Sequence, residues 1–209
     1  MTLFTTHFLK QAKTAVSGGS LAAALLAASS SATATNSATE DVKNPGWWQQ
    51  TKDMVLAKTA KIKDEGETSL FLSGYAYHGR NTYTPERIKE FNENAWGLGY
   101  GKTLRNQNGD EEYLFGMAIS DSHYDPQFMA GYAYQWIWPI AGKLEVGAGW
   151  TALAISRRDI WGGVPFPIAL PLASIGTRDA KLMAAYIPRL SSNKGNGDVL
   201  FVFGRINFN

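Results

Sequence analysis

Residues 127–138 read QFMAGYAYQWIW, and this stretch decides the fold class. Large apolar side chains take all but one of the even-numbered positions, and the positions between them are mostly small or polar. The large set is Phe128, Tyr132, Tyr134, Trp136 and Trp138, and the other set is Met129, Gly131, Ala133 and Gln135. Because successive side chains of a β-strand point to opposite faces, the stretch predicts a strand with one bulky apolar face.

Eight segments of about ten residues carry this kind of strand pattern, and Gly, Asn, Asp and Pro mark the connections between them. They span residues 68–80, 95–106, 111–121, 127–138, 143–156, 165–176, 179–188 and 198–208. A tilted strand needs about 9–11 residues to cross a bilayer, whereas strands in globular proteins average about 5–6. The lengths therefore indicate strands that span a membrane.

The direction of the alternation distinguishes a membrane barrel from a soluble one. In the fifth segment, Leu144, Val146 and Trp150 alternate with Glu145 and Thr151. Membrane barrels turn bulky apolar side chains toward lipid and small or polar ones inward, whereas soluble lipocalin-like barrels do the reverse. We therefore predict an all-β fold for residues 65–209, an eight-stranded antiparallel transmembrane β-barrel.

The N-terminus has the pattern of a signal peptide. Lys10 and Lys13 precede an apolar stretch, 15–28, which is shorter than the about 20 residues that a membrane-spanning helix needs. An A-x-A cleavage motif follows at residues 32–34. We predict a signal peptide over residues 1–34 and a flexible lead-in over residues 35–44, and export places the barrel in the cell outer membrane.

A helical pattern precedes the first strand. Within residues 45–64, Trp48, Val55, Thr59 and Ile62 share one face at helical spacing, and the lysines lie mostly elsewhere. The pattern predicts an N-terminal amphipathic α-helix that lies at the membrane surface, with packing on a protein core as the alternative. With this helix on the periplasmic side, the first strand runs outward, and four connections lie outside the cell: 81–94, 122–126, 157–164 and 189–197.

Composition excludes several classes of function. Lys and Arg number 20 against 18 Asp and Glu, so no strong field of positive charge favours nucleic acid as a partner. The chain has no Cys, which excludes disulfides, zinc–thiolate sites and a thiol nucleophile. With three His in all, it has too few ligands for a typical transition-metal site, and we predict neither a metal nor a cofactor.

The interior of an eight-stranded barrel is narrow, and it is filled by side chains or holds one small ligand. Gly131, Ala133, Gly147 and Gly149 are small and have the inward parity. They leave room for a slot about as wide as an acyl chain. The alternative is that the small residues accommodate coiling of the sheet or a plugging side chain.

Three residues with chemical potential fall at the predicted outer rim: His78 ends the first strand, and Asp121 and Ser122 end the third. A His can act as general base or acid, an acidic residue can orient it, and a hydroxyl can serve as nucleophile or hydrogen-bond donor. Asp121 and Ser122 can face one site only if the strand breaks there. By residue type alone, a rim His such as His78 or His123 is more often an ordinary surface residue.

Six short motifs, taken in order, are highly specific. They are YHGR at 77–80, FNENAWG at 91–97, MAISDS at 117–122, AGY at 130–132, LPLASIG at 170–176 and YIP at 186–188. Together they closely resemble the lipid A palmitoyltransferase family, the PagP-type outer-membrane acyltransferases. The resemblance runs from about residue 45 to the C-terminus and includes the helix and all eight strands.

The resemblance implies transfer of an acyl chain, typically palmitate, from a phospholipid to the lipid A of lipopolysaccharide, a modification tied to antimicrobial peptide resistance. It implies a monomer with no cofactor. The catalytic His, Asp and Ser of the family fall on His78, Asp121 and Ser122: His78 as general base, Asp121 orienting or stabilising it, and Ser122 supplying a hydroxyl.

Two further features carry over from the family with differences. The floor of the acyl slot falls on Ala133, where a known member has Gly, so the extra methyl is expected to shorten the slot by roughly one carbon. Pro171 and Pro188 match family prolines at one lateral opening. Pro has no N–H to donate to the strand ladder, so these prolines weaken strand pairing there. At the other opening, Ser73 and Ala95 stand where prolines are expected.

Two other functions remain open at this point. The chain can be an outer-membrane lipase or lipid A deacylase that also uses Ser and His at a barrel rim. It can also be a non-enzymatic small barrel that acts in adhesion or membrane integrity.

Overall fold

A computed structural model describes residues 46–189 and 197–208, without the side chain of Trp161. The predicted signal peptide and lead-in, residues 1–44, lie outside the described residues.

The described residues form two helices and eight strands. The helices are α1 (Trp47–Glu65) and α2 (Pro85–Lys89), with a short 3-10 turn at Trp161–Gly163. The strands are β1 (Glu67–His78), β2 (Gly97–Arg105), β3 (Glu111–Ser120), β4 (Pro126–Ala141), β5 (Leu144–Ser156), β6 (Phe166–Gly176), β7 (Ala180–Ile187) and β8 (Val199–Phe208). Each strand pairs antiparallel with the next, and β1 pairs with β8 to close the barrel. The predicted fold class, including the N-terminal helix, is confirmed.

The side chains face as the alternation predicts. Phe128 and Leu200 are exposed on the outer surface, whereas Gln135 and Arg205 are fully buried inside. A barrel of this kind has no free strand edge, so its backbone groups can be paired within the sheet even in lipid.

Helix α1 lies against the outer wall of the barrel. Ile62, the most buried residue of the helix, packs with Tyr132 and Tyr134 on the outer face of β4. Beside this contact, the Lys58 ammonium lies 3.1 Å from the Glu112 carboxylate, which also accepts a hydrogen bond of 2.8 Å from the Tyr132 hydroxyl. No helix in residues 46–189 or 197–208 is long and apolar enough to cross a bilayer.

A layer of buried ion pairs fills the barrel at the end where α1 joins β1. Glu111 accepts a hydrogen bond of 2.8 Å from Arg205. The Lys181 ammonium lies 3.0 Å from the Glu111 carboxylate and 2.8 Å from that of Glu145. Arg105 reaches Glu145 from β2 at 2.6 Å. We call this end the closed end, and the opposite end, where β1 and β3 finish, the open end.

Candidate active site

An apolar chamber occupies the barrel between the ion-pair layer and the open end. Its volume is about 310 Å³, within the usual range for a ligand site. The walls carry aromatic and aliphatic side chains, among them Phe71, Met117, Leu153 and Phe201. Along β4, wall positions run from Gln127 near the mouth to Ala133 near the floor, six residues or about 20 Å of strand. The chamber is therefore long, narrow and apolar, a shape that suits an acyl chain.

His78, the last residue of β1, lies beside the mouth of this chamber, in contact with the lining residues Tyr83 and Ser122. Its ring is stacked on Phe91 at 4.5 Å between centroids and meets the edge of Tyr83 at 5.4 Å. Only 2% of the residue is exposed. His78 is thus a buried imidazole whose ring is fixed by two aromatic contacts, and not a surface His. His123, in contrast, is exposed.

Strand β3 breaks after Ser120, as it must if Asp121 and Ser122 are to face one site. The Asp121 Oδ1 accepts hydrogen bonds from the backbone N–H groups of His123 at 2.7 Å and Asp125 at 2.9 Å, which folds a tight turn. Tyr124 within the turn has a φ of +66°. As a result both Asp121 and Ser122 line the mouth of the chamber.

The fold brings His78 and Ser122 into contact. The His78 Nε2 lies 3.0 Å from the Ser122 Oγ, a hydrogen-bond distance. A hydroxyl beside an imidazole is the arrangement from which a proton can be removed during acyl transfer. Two of the three predicted residues therefore form a pair.

The other ring nitrogen of His78 meets a residue that the sequence pattern did not single out. The His78 Nδ1 lies 3.3 Å from the Glu93 Oε1, in the connection between β1 and β2. Two hydrogen bonds from the Arg80 guanidinium, of 2.7 and 2.8 Å, hold the pKa of Glu93 at about 2. Glu93 is therefore a carboxylate at neutral pH. The one sequence signal was its place in the motif FNENAWG.

Asp121 has a different environment from the one that the resemblance implies. It makes no hydrogen bond to His78 among the described residues, because its Oδ1 serves the turn. Its Oδ2 is buried and has no hydrogen-bond partner in the described part of the chain. A free acceptor at the chamber mouth can receive a hydrogen bond from a bound hydroxyl group.

Comparison with known proteins decides the family. A family model described as "Antimicrobial peptide resistance and lipid A acylation protein PagP" matches residues 58–205. The chain belongs to the PagP family. The resemblance predicted from the six motifs is therefore confirmed, and with it an outer-membrane barrel of a family that acylates lipid A.

Named members of the PagP family are similar over most of the barrel. The Lipid A acyltransferase PagP of Bordetella pertussis is 47% identical over 148 residues, 71% of this chain and 80% of that protein. The Lipid A acyltransferase PagP of Legionella longbeachae is 40% identical over 173 residues, 82% of this chain and 74% of that protein. Among solved structures, the Yersinia pestis outer membrane protein Ail is 12% identical and covers 68% of this chain and 99% of its own, with a TM-score of 0.37. This weak likeness adds nothing to the assignment.

Strand pairing stops early at two places near the open end. Pairing of β6 with β7 stops at Leu172 and Ala185, so Pro171 has no partner on β7, although it still pairs with Trp150 of β5. Pro188 follows β7 and lines the chamber. Pairing of β1 with β2 stops at Ser73 and Gly97. No proline stands at this second ladder end. The Ser73 hydroxyl donates to the Ala95 carbonyl there, and further along β1 the Ala76 N–H donates to the Glu93 carbonyl at 2.9 Å, so the segment before β2 contacts β1 beyond the ladder.

The described residues contain no group of three or more His, Cys, Asp or Glu side chains arranged to hold a metal ion. The chemistry that the site offers is that of an imidazole, a hydroxyl and carboxylates.

Proposed function

We propose that this PagP-family protein acts as a monomer that moves a fatty acyl chain from a membrane phospholipid to lipid A. The observation that carries the proposal is the His78–Ser122 pair at the mouth of a chamber that suits an acyl chain. An apolar slot can hold the acyl chain of the donor through close van der Waals contacts with its walls. This places the ester carbonyl of the donor beside the pair.

The proposed chemistry uses His78 as the general base. The His78 Nε2 accepts the proton of the attacking hydroxyl, and the hydroxyl oxygen forms a bond to the acyl carbonyl carbon. The bond from that carbon to the glycerol oxygen of the phospholipid breaks, and the proton passes from His78 to that oxygen. Ser122 supplies its hydroxyl at the reacting centre, and the Oδ2 of Asp121 accepts a hydrogen bond from the acceptor sugar.

We infer that lipids reach this centre at the two places where strand pairing stops early. Lipids diffuse in the plane of the membrane, so a chamber inside a closed barrel needs a gap between strands near the reacting groups. The donor chain enters at the end of the β6–β7 ladder, beside Pro171 and Pro188, and lipid A enters near the end of the β1–β2 ladder at Ser73. Ala133 near the floor limits the length of the chain that fits.

The proposal is tested with the purified protein in mixed micelles of lipid A and a phospholipid labelled in one acyl chain. We expect acylated lipid A and lysophospholipid in equal amounts. Free fatty acid without acylated lipid A would overturn the proposal in favour of a lipase, and loss of an acyl chain from lipid A would indicate a deacylase. No turnover would favour the non-enzymatic barrel. Light scattering of the protein–detergent complex tests the monomer.

A further inference from the structure

Three consecutive residues of the β1–β2 connection contact both members of the proposed catalytic pair. Phe91 stacks on the His78 ring, the Asn92 backbone N–H donates to the Ser122 carbonyl at 2.8 Å, and Glu93 meets the His78 Nδ1 at 3.3 Å. The end of β1 and the end of β3 are thus held in one geometry by a segment that belongs to neither strand.

The Glu93 side chain is fixed from several sides. Arg80 binds both of its carboxylate oxygens, and the Tyr75 hydroxyl donates to the Oε2 at 2.8 Å. The backbone N–H of His78 donates to the Oε1 at 3.0 Å, and the Glu93 carbonyl accepts from the Ala76 N–H at 2.9 Å. A bidentate guanidinium–carboxylate pair sets the orientation as well as the position of the carboxylate.

We propose that Glu93, held by Arg80, is the positioning residue of His78. This inference rests on the proposed role of His78 as general base. A carboxylate can only accept, so it fixes the proton of the imidazole on Nδ1 and leaves the lone pair of Nε2 facing Ser122. It also stabilises the imidazolium that forms when His78 has taken a proton, the part that a buried Asp plays in serine hydrolases.

Among the described groups around the His78 ring, Glu93 is the carboxylate placed to fix the proton on Nδ1 and to stabilise the imidazolium. The groups that face the ring from neighbouring elements are Tyr83 and Phe91 from the same connection and Ser122 from the β3–β4 turn. Arg80 is the nearby cation, and it is engaged by Glu93. Within residues 46–189 and 197–208, no other carboxylate hydrogen-bonds to His78.

The deciding variant is Glu93→Gln, which keeps the size of the side chain and removes its charge. Glu90→Gln is the matched control, because Glu90 lies in the same connection, is exposed and pairs with Arg87. For Glu93→Gln we expect kcat to fall about 10- to 100-fold with KM nearly unchanged, less than the loss of a whole general base. The acidic limb of the pH–rate profile moves to lower pH, because the imidazolium has lost its counter-charge. A merely structural role for Glu93 would leave this limb in place.

A second measurement does not depend on activity. In a His7→Asn, His123→Asn background, His78 is the only imidazole, and ¹⁵N NMR reports which ring nitrogen carries the proton. We expect the Nδ1–H tautomer in this protein and a mixture after Glu93→Gln. An Nε2–H tautomer in the protein with Glu93 intact would overturn the proposal even if the variant fails to fold, and so would an unchanged pH profile in a folded variant. If the Nδ1–H tautomer is found but no acyl transfer occurs, the proposed function fails and the positioning by Glu93 stands.

Discussion

The His78 Nε2 lies 3.0 Å from the Ser122 Oγ although 44 positions separate the two residues in the chain. The contact depends on the barrel, because β1 and β3 both end at the open rim with β2 between them. It depends also on the break after Ser120, since a regular strand would turn either Asp121 or Ser122 away from the chamber.

Removing either member of this pair is expected to abolish transfer. Ser122→Ala and His78→Phe should each lower the rate by at least about 100-fold. His78→Phe removes the group that accepts the proton of the attacking hydroxyl, and Ser122→Ala removes the hydroxyl that contacts this group. The assay is the labelled-phospholipid transfer described above. His123→Phe is the control, since His123 is exposed and a phenyl ring keeps its edge contact with Phe91. Heat-shifted gel mobility should show that all three variants are folded. The mechanism would be contradicted if a folded Ser122→Ala or His78→Phe variant had the rate of the unaltered protein.

Asp121→Asn separates the two roles of that carboxylate. The Asn oxygen can still accept from the N–H groups of His123 and Asp125, so we expect the turn and the fold to survive. The amide that replaces the Oδ2 is a donor, so it can no longer accept a hydrogen bond from a bound hydroxyl. Transfer should therefore fall about 10-fold or more while the backbone NMR signals of residues 121–125 stay close to those of the unaltered protein. Full activity would mean that Asp121 serves the turn alone.

The strands could be predicted from the sequence because their alternation is local. The parity of β4 was visible in QFMAGYAYQWIW, and the observed bounds differ from the predicted ones by a few residues. The burial of Tyr132 and Tyr134 on the lipid-side face could not be predicted from parity, because α1 covers them there. Glu93 was missed for a similar reason: its contact with His78 is set by the path of a connection, which no periodic pattern describes.

The Ala133 methyl is expected to set the length of the acyl chain. Ala133 lines the chamber, is 2% exposed and pairs across the sheet with Tyr113 and Thr151. Ala133→Gly should lengthen the preferred chain by roughly one carbon, because a tightly packed wall transmits the loss of a methyl group to the ligand. The mass spectrum of acylated lipid A measures this directly. Ala130→Gly is the matched control, because Ala130 lies on the outer face of the same strand. An unchanged mass profile for Ala133→Gly would remove this residue from chain selection.

The last prediction concerns the attachment of α1. Lys58→Met removes the partner of Glu112, whose carboxylate is mostly covered by the helix, while the Tyr132 hydroxyl remains. A buried charge that loses its partner destabilises a protein strongly, but Lys58 is partly exposed, so we expect the free energy of unfolding to fall by about 1–2 kcal/mol. Urea titration in detergent measures this quantity. Lys61→Met is the control on the same helix, because Lys61 and Glu65 are 4.0 Å apart and both exposed, and we expect a change below about 0.5 kcal/mol. Equal effects of the two substitutions would show that the Lys58–Glu112 contact does not hold the helix on the barrel.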